Sequence, residues 1–261
     1  MGWASYEEDN ASRFHQATVI RNKEHDALLP AKEVPATKLK AFAMPQPRPL
    51  PVIVLADVSG SMSEDGKIDI LNNALKSMIL SFGAESKLRA EIQVGLITFG
   101  GEVAKEHLPL VAADRIAGVE AFRAQGRTPM GSAFEMARQL LEDKEKIPAR
   151  AYRPVLVLVS DGAPTDDWKE PLAALKGSDR AQKASRFALA IGADADRAML
   201  GQFVNDRENP VFEADGARDI VKFFKAVTMS VVARSTSTSP DQPLALDMGS
   251  DLSDDLDLDA L

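Results

Sequence analysis

Two stretches of the chain are continuous runs of branched apolar residues that end abruptly in polar ones. The first is Val52–Asp57, and the second is Val155–Ser160, which Asp161 follows directly. Runs without polar alternation are typical of strands that are buried on both faces of a parallel sheet. Ligands of such open sheets bind beyond the carboxyl ends of the strands, so polar residues placed there are candidates for a site.

Strand and helix patterns alternate between and after these runs. Leu71, Leu75 and Met78 recur at helical spacing and predict a helix with a core-facing stripe, and the Gly-Gly pair after Phe99 predicts a hairpin. The predicted strands are 52–57, 92–99, 102–108, 155–160, 186–191 and 211–212, and the predicted helices are 68–82, 131–146, 166–176, 196–205 and 216–233. This order predicts an α/β fold: a doubly wound, mostly parallel central sheet with one antiparallel edge strand and helices on both faces.

Three regions of the chain differ in composition. Residues 1–48 are polar and end in a proline-rich run, which predicts a partly ordered N-terminal extension with an extended connector. Residues 49–234 hold the alternating elements and are predicted to form one domain. Residues 235–261 contain seven Asp and no Lys, Arg or Glu, which predicts a disordered tail. Its interleaved leucines also suit a segment that folds on a partner or offers an Asp to a neighbouring molecule's metal site.

The charge and composition exclude several classes of protein. Of the net charge of −8, the tail carries −7, so the rest of the chain is nearly neutral and lacks the basic surface that nucleic acid requires. No apolar stretch approaches the ~18 residues of a membrane span, and the acidic N-terminus does not resemble a signal peptide. The absence of cysteine excludes disulfides and zinc–thiolate sites, and it fits a cytoplasmic location.

The candidate chemistry lies where the two apolar runs end. Asp57, Ser59 and Ser61 stand at alternate positions after the first run, Asp161 follows the second, and Thr128 lies in a turn-rich loop between them. These side chains offer hard oxygen ligands and no soft ones, as a Mg²⁺-type cation prefers. Two carboxylates roughly neutralise a divalent ion, and five side chains leave room around an octahedral ion for water or one outside oxygen.

Asp-x-Ser-x-Ser, a loop Thr and a strand-terminal Asp-Gly, in this order, resemble the metal-ion-dependent adhesion site (MIDAS) of the von Willebrand factor A (vWA) domain family. The resemblance covers roughly Pro49–Arg234. It implies that one Mg²⁺ or Mn²⁺ is bound by Asp57, Ser59, Ser61, Thr128 and Asp161. It also implies a protein partner, because in this family an acidic side chain of a partner commonly fills the open coordination position.

Within the family, the fragments 57–62, 126–131 and 160–166 are most similar to bacterial cytoplasmic TerY-type proteins of tellurite-resistance and stress systems. This resemblance implies a metal-dependent scaffold whose partners include a Ser/Thr kinase and a PP2C-type phosphatase. The chain departs from that pattern in its N-terminal extension, its acidic tail and its lack of a cysteine-rich zinc module. Arg127 also departs from it, because many relatives carry glycine before the Thr.

Two other functions remain open from the sequence. One is a divalent-metal hydrolase or phosphatase, and the other is an adaptor subunit of a MoxR-type AAA+ ATPase, as other bacterial A-domain proteins are. His15, His25 and His107 are scattered, and none stands beside a nucleophile in a catalytic motif, so no enzyme is predicted. Near the site, Thr165 or Asp166 is predicted to cap the helix that follows.

Overall fold

The two apolar runs form neighbouring strands at the centre of one sheet. The computed structural model describes residues 46–85, 89–204 and 210–246. Its strands are β1 (Arg48–Asp57), β2 (Ala90–Phe99), β3 (Ala104–Ala112), β4 (Val155–Ser160), β5 (Ser185–Ile191) and β6 (Phe212–Ala214). In the described part they form one sheet of order β3-β2-β1-β4-β5-β6, in which β2 and β3 are antiparallel and all other neighbours are parallel. The predicted fold class is confirmed.

Helices cover both faces of this sheet. They are α1 (Lys67–Ala84), α2 (Met130–Glu142), α3 (Lys169–Gly177), α4 (Asp179–Lys183), α5 (Arg197–Phe203) and α6 (Ala217–Thr236). One hydrophobic core contains residues of α1 and α6, and a second core contains residues of α2 to α5. A short 3-10 segment, Gly60–Gly66, connects β1 to α1.

Strand β1 supplies side chains to both cores, which explains why its apolar run is continuous. Val52 and Val54 pack in the core under α1 and α6, whereas Ile53 and Leu55 pack in the core under α2 to α5. All four are fully buried. Because successive strand residues point to opposite faces, only a strand covered on both faces requires every residue to be apolar.

The first strand begins earlier than its sequence suggests. Arg48 already pairs with β2, so the end of the proline-rich run, Arg48-Pro49, is part of β1 and not only a connector. Pairing with β4 starts at Val52, so Pro49 and Pro51 lie in a part of β1 that has a strand neighbour on one side only. Proline cannot donate to the ladder and is tolerated at such a position.

Other element ends differ from the predicted ones for local reasons. The edge strand occupies 104–112 instead of 102–108, after the predicted hairpin at Gly100-Gly101. Helix α2 ends at Glu142 and not at 146, because the Asp143 carboxylate accepts hydrogen bonds from the backbone N–H groups of Glu145 (2.8 Å) and Lys146 (3.3 Å). The short helix α4 was not predicted.

The chain after α6 packs on the domain as far as the structure describes it. Leu244 is only 7% exposed, its backbone N–H donates to Ser185 Oγ (3.2 Å), and Asp241 pairs with Arg48 (3.3 Å). Residues up to 246, which the sequence assigns to the acidic tail, are therefore part of the folded domain. The predicted disorder of the remaining tail, and the predicted N-terminal extension up to residue 45, lie outside the described residues.

Candidate metal centre

The candidate residues lie at the edge of the sheet where the strand order reverses. Asp57 is the last residue of β1, Asp161 directly follows the neighbouring strand β4, and the chain leaves these two strands toward opposite ends of the sheet. Such a switch point opens a crevice at the carboxyl ends of the strands. Thr128 reaches the same edge from the loop before α2.

Hydrogen bonds join four of the five predicted ligands. Ser59 Oγ and Ser61 Oγ are 3.1 Å apart, and Ser61 Oγ donates to Asp161 Oδ1 at 2.8 Å. The turn after β1 brings Ser59 back toward Asp57, because the Ser59 N–H donates to Asp57 Oδ1 at 2.8 Å. The structure therefore places Asp57, Ser59, Ser61 and Asp161 in one cluster of oxygen atoms.

Thr128 borders this cluster and is held there by its backbone. Its N–H donates to Thr165 Oγ1 (3.1 Å), and its carbonyl accepts from the Thr165 N–H (3.0 Å). The Thr128 side chain is nearly buried, and its Oγ1 lies 3.9 Å from the position that a Cβ on Gly162 would occupy. The loop after β4 thus carries Asp161 and also fixes the loop that carries Thr128.

Asp166 caps a different helix from the predicted one. Its two carboxylate oxygens accept hydrogen bonds from the N–H groups of Gly131 (2.9 Å) and Ser132 (3.0 Å), in the first turn of α2. Helix α3 begins only at Lys169, and no side chain caps it. The prediction that Thr165 or Asp166 caps α3 is therefore wrong, because both side chains bind the Thr128 loop and α2 instead.

Glycine is required where these two loops touch. A Cβ on Gly131 would lie 2.3 Å from the Asp167 carbonyl oxygen, far inside van der Waals contact with a backbone atom. On the other side of the site, Gly126 has a positive φ of 65° and its carbonyl accepts from the Gly60 N–H (3.1 Å). These close approaches bring the Thr128 loop against the segments that follow β1 and β4.

Asp57 is a completely buried carboxylate. Burial raises its pKa from 3.8 to about 6, although hydrogen bonds from Ser160 and Ser59 oppose the shift. Ser160 Oγ donates to Asp57 Oδ2 at 2.6 Å. The sequence does not predict a role for Ser160 beyond ending an apolar strand; its position directly before Asp161 is the available signal.

Lys67 is a second residue at the site that the sequence does not predict. Its ammonium group is 2.9 Å from Asp161 Oδ2, and the side chain is only 18% exposed. Burial acts to lower the pKa of Lys67, but the hydrogen bond to Asp161 and the negative charges of Asp161, Glu64 and Asp65 outweigh it, so the pKa is raised. Lys67 is the first residue of α1 and lies six residues after Ser61. This spacing does not by itself indicate a role at the site.

The donor set fits a hard divalent cation. Every side-chain atom that the cluster presents, apart from the Lys67 ammonium, is a carboxylate or hydroxyl oxygen, the ligand type of Mg²⁺ and Mn²⁺. Among the described residues, no three or more His, Cys, Asp or Glu side chains are placed so that they could hold a metal ion together, so the cluster differs from a site built on imidazole, thiolate or carboxylate alone. Two carboxylates with three hydroxyls supply a charge of −2 to one ion.

Trp168, Arg127 and His107 have ordinary packing roles or face solvent. Trp168 is half-buried and packs against the core under α2 to α5. Arg127 is exposed. His107, the one histidine among the described residues, contacts the Phe122 ring and lies 2.8 Å from the Glu120 carbonyl oxygen through Nε2.

An α/β sheet with a hydroxyl-and-carboxylate cluster at its switch point defines a class of ligand-binding domain. The sequence profile of the von Willebrand factor type A domain matches residues 52–226, so the chain belongs to the vWA family. Domains of this family are typically non-enzymatic modules that bind protein partners through a divalent metal at the MIDAS. The family resemblance in the sequence is confirmed at this level.

Several solved structures share the fold at low sequence identity. Proximal thread matrix protein 1 from the mussel byssus is 19% identical with a TM-score of 0.56, over 72% of this chain and 49% of that one. One structure of that protein has a zinc-occupied MIDAS motif. The pilus adhesin SpaC from Lactobacillus rhamnosus GG is 15% identical with a TM-score of 0.57, over 73% of this chain and 32% of that one. The ArnB paralog VWA2 from Sulfolobus acidocaldarius is 12% identical with a TM-score of 0.51, over 74% of this chain and 46% of that one.

The chain spans half or less of the length of these structures. Comparison with curated proteins finds no significant match in sequence. In the part of the chain that the structure describes, no helix is both long enough and apolar enough to cross a membrane.

Proposed function

We propose that this chain is a metal-dependent protein-interaction module that captures an acidic residue of a partner. One Mg²⁺ or Mn²⁺ is held by Asp57, Ser59, Ser61, Thr128 and Asp161. The observation that carries the proposal is the hydrogen-bonded series from Ser59 through Ser61 to Asp161, beside the buried Asp57. It brings oxygen ligands from separate parts of the chain to one point at the switch point of the sheet.

The residues present fit such an ion by charge and by rigidity. The backbone segment that carries Thr128 is already fixed. Its loop is hydrogen-bonded to Thr165, and the helix that follows, α2, is hydrogen-bonded to Asp166. When bound, a divalent cation supplies a coordination position that a carboxylate can fill. The fixed donor geometry lowers the cost of ordering the site when a partner binds.

For the cellular context, we propose a TerY-type role in a cytoplasmic stress or tellurite-resistance system of a bacterium. The motif fragments around Asp57, Thr128 and Asp161 support it, and the partners would be a Ser/Thr kinase and a PP2C-type phosphatase. Gene neighbourhood tests this assignment: a kinase–phosphatase pair supports it, whereas a neighbouring AAA+ gene indicates the MoxR-type adaptor.

Calorimetry with Mg²⁺ and Mn²⁺ tests the metal site directly. The wild-type chain should bind one ion, and Asp161→Asn should abolish binding because it removes one of two negative charges and replaces one carboxylate oxygen with an amide NH2 group, which cannot bind a cation. Asp167→Asn is the matched control, since Asp167 is an exposed carboxylate on the same loop. Unchanged affinity in Asp161→Asn contradicts the proposed site.

Affinity capture from a cell lysate then tests partner binding. Proteins retained by the wild-type chain in Mg²⁺ should be released by EDTA and should not be retained by Asp161→Asn. Replacing the contacting Asp or Glu of a retained partner by Asn or Gln should have the same effect. Partners that bind the chain equally with EDTA and with Asp161→Asn would show that binding does not use the metal.

A further inference from the structure

A groove runs between α1 and α6, on the face of the sheet that these two helices cover. It encloses about 310 Å³. Its apolar lining includes Ala74 and Met78 of α1 and Phe224 and Met229 of α6. The groove is separate from the metal cluster, since none of the five proposed ligands lines it.

The same two helices expose large apolar side chains. Leu80 of α1 is 64% exposed and Met229 of α6 is 60% exposed. Among the described residues, only Val103 is a further large apolar side chain with such exposure. Met229 lines the groove, whereas Leu80 lines a second cavity between α1 and residues 116–122. An exposed apolar side chain on an apolar groove marks a surface that binds another segment.

Basic side chains lie along α6 beside this groove. Lys225 lines the groove, Arg218 and Lys225 are exposed, and Lys222 is half-exposed. Arg218, Lys222 and Lys225 are spaced by four and three residues, so they lie on one side of α6 together with Met229. The surface therefore suits a segment that is both apolar and acidic.

The described chain ends against α6, the helix that forms one side of this groove. Ser230, the residue after Met229, donates through Oγ to the Ala245 carbonyl (3.2 Å), and Leu246 packs on the core that α1 and α6 cover. The remaining 15 residues, 247–261, can extend about 50 Å. The part of α6 that lines the groove, from Val221 to Met229, is only about 12 Å long.

The composition of residues 247–261 complements the groove. The segment contains six Asp and no basic residue. Met248, Leu252 and Leu256 are spaced by four, so in a helix they form one apolar side. We propose that residues 247–261 dock into the α1–α6 groove of their own chain, with the leucines in the groove and the aspartates facing Lys222 and Lys225.

Paramagnetic relaxation in the full chain tests this docking. Because the chain has no cysteine, Ser253→Cys accepts a single nitroxide label. In EDTA, the amide signals of 74–81 and 224–229 should lose most of their intensity, and high salt should restore part of it. Lys225→Glu combined with Met229→Glu should abolish the effect. The matched control, Lys183→Glu combined with Val103→Glu, alters an exposed lysine and an exposed apolar residue elsewhere and should leave it unchanged.

Three outcomes would overturn the proposal. Signals on the two helices that keep their intensity would show that the segment does not dock. Broadening at Ser61 and Thr128 that requires Mg²⁺ would place the segment at the metal site instead. Broadening that passes from a labelled chain to a separate, isotope-labelled chain would place it on a second copy. The docking is measured in EDTA, where no metal is bound. A negative result for docking therefore leaves the proposed metal-dependent function unaffected.

Discussion

Asp57 illustrates a conflict between stability and binding at a single residue. The fold removes its carboxylate completely from water, yet the neighbours that bond to it are neutral hydroxyl and amide groups of Ser59 and Ser160. Neutral donors offset only part of the cost of burying a charge, and the pKa of about 6 reflects this. A bound cation would supply the missing compensation.

Asp57→Asn should therefore stabilise the metal-free protein while it destroys the metal site. The pKa of Asp57 is raised in the folded state, so its stabilising effect is greatest below pH 4 and is lost as the pH rises through about 6. Above that pH the ionised side chain costs up to about 3 kcal/mol, which asparagine avoids. Urea unfolding in EDTA between pH 5 and 8 measures the difference, which should grow with pH. Equal stabilities at pH 8 would contradict this account of Asp57.

Lys67 places a positive charge on a proposed metal ligand. The ammonium pairs with Asp161 Oδ2, so an arriving cation must share that carboxylate with it. Lys67→Met should tighten Mg²⁺ binding by roughly tenfold, because like charges repel across a few ångströms. Calorimetry measures the affinity, and Lys76→Met, an exposed lysine on the same helix, is the control. Weaker binding in Lys67→Met would show instead that the ammonium group is needed to orient Asp161.

At the scale of elements, the site depends on contacts between loops more than on the strands themselves. The loop after β4 holds the Thr128 loop through Thr165 and the first turn of α2 through Asp166. A carboxylate at a helix N-terminus satisfies backbone donors and interacts favourably with the helix dipole. Here the carboxylate comes from a distant loop, so it also fixes one element against another.

Asp166→Ala should lower both stability and metal affinity. Loss of the cap costs about 1–2 kcal/mol in the free energy of unfolding. Release of the Thr128 loop should weaken Mg²⁺ binding by roughly tenfold, as removal of groups that orient metal ligands commonly does. Thermal unfolding and calorimetry report the two effects. The control is Asp167→Ala, an exposed neighbour on the same loop, and equal behaviour of both variants would rule out the bridging role.

The sequence predicts the strands and helices well where periodicity is strong, and it predicts the site where motifs follow buried strands. Val52–Asp57 and Val155–Ser160 are recognisable because burial on both faces demands continuous apolar residues. It does not predict the partners of Lys67 or Asp166, because those contacts join residues 94 and about 35 positions apart. Such pairings arise only when the sheet brings distant loops to one edge.

At the scale of the whole molecule, the metal cluster and the α1–α6 groove occupy different parts of the domain. The cluster lies at the carboxyl edge of the sheet, and the groove lies on one face. Helix α1 contributes to both, because Lys67 at its start pairs with Asp161 and Ala74 and Met78 line the groove. The two proposed binding surfaces thus differ in chemistry: the metal centre would bind a carboxylate, and the α1–α6 groove would bind an acidic, leucine-rich segment.

The C-terminal region divides at residue 246 into a folded part and an acidic segment, and truncation should reveal this division. The sequence alone predicts that removal of 235–261 leaves stability almost unchanged. In the structure, however, Leu244 is buried, Asp241 pairs with Arg48, and the Pro240 carbonyl accepts from Nε of the buried Arg234. A chain that ends at Thr236 loses all three contacts, so we expect it to lose at least about 3 kcal/mol.

A chain that ends at Leu246 keeps these contacts. Docking of 247–261 through exposed charges and leucines adds little stability. The free energy of unfolding of this shorter chain should therefore differ from that of the full chain by less than about 1 kcal/mol. Leu244→Ala in the full chain isolates the buried side chain and should cost about 2–3 kcal/mol, whereas Leu258→Ala in the acidic segment should cost almost nothing. Urea unfolding of the four chains measures these differences. If both truncations were equally stable, residues 237–246 would contribute nothing to the fold despite their burial.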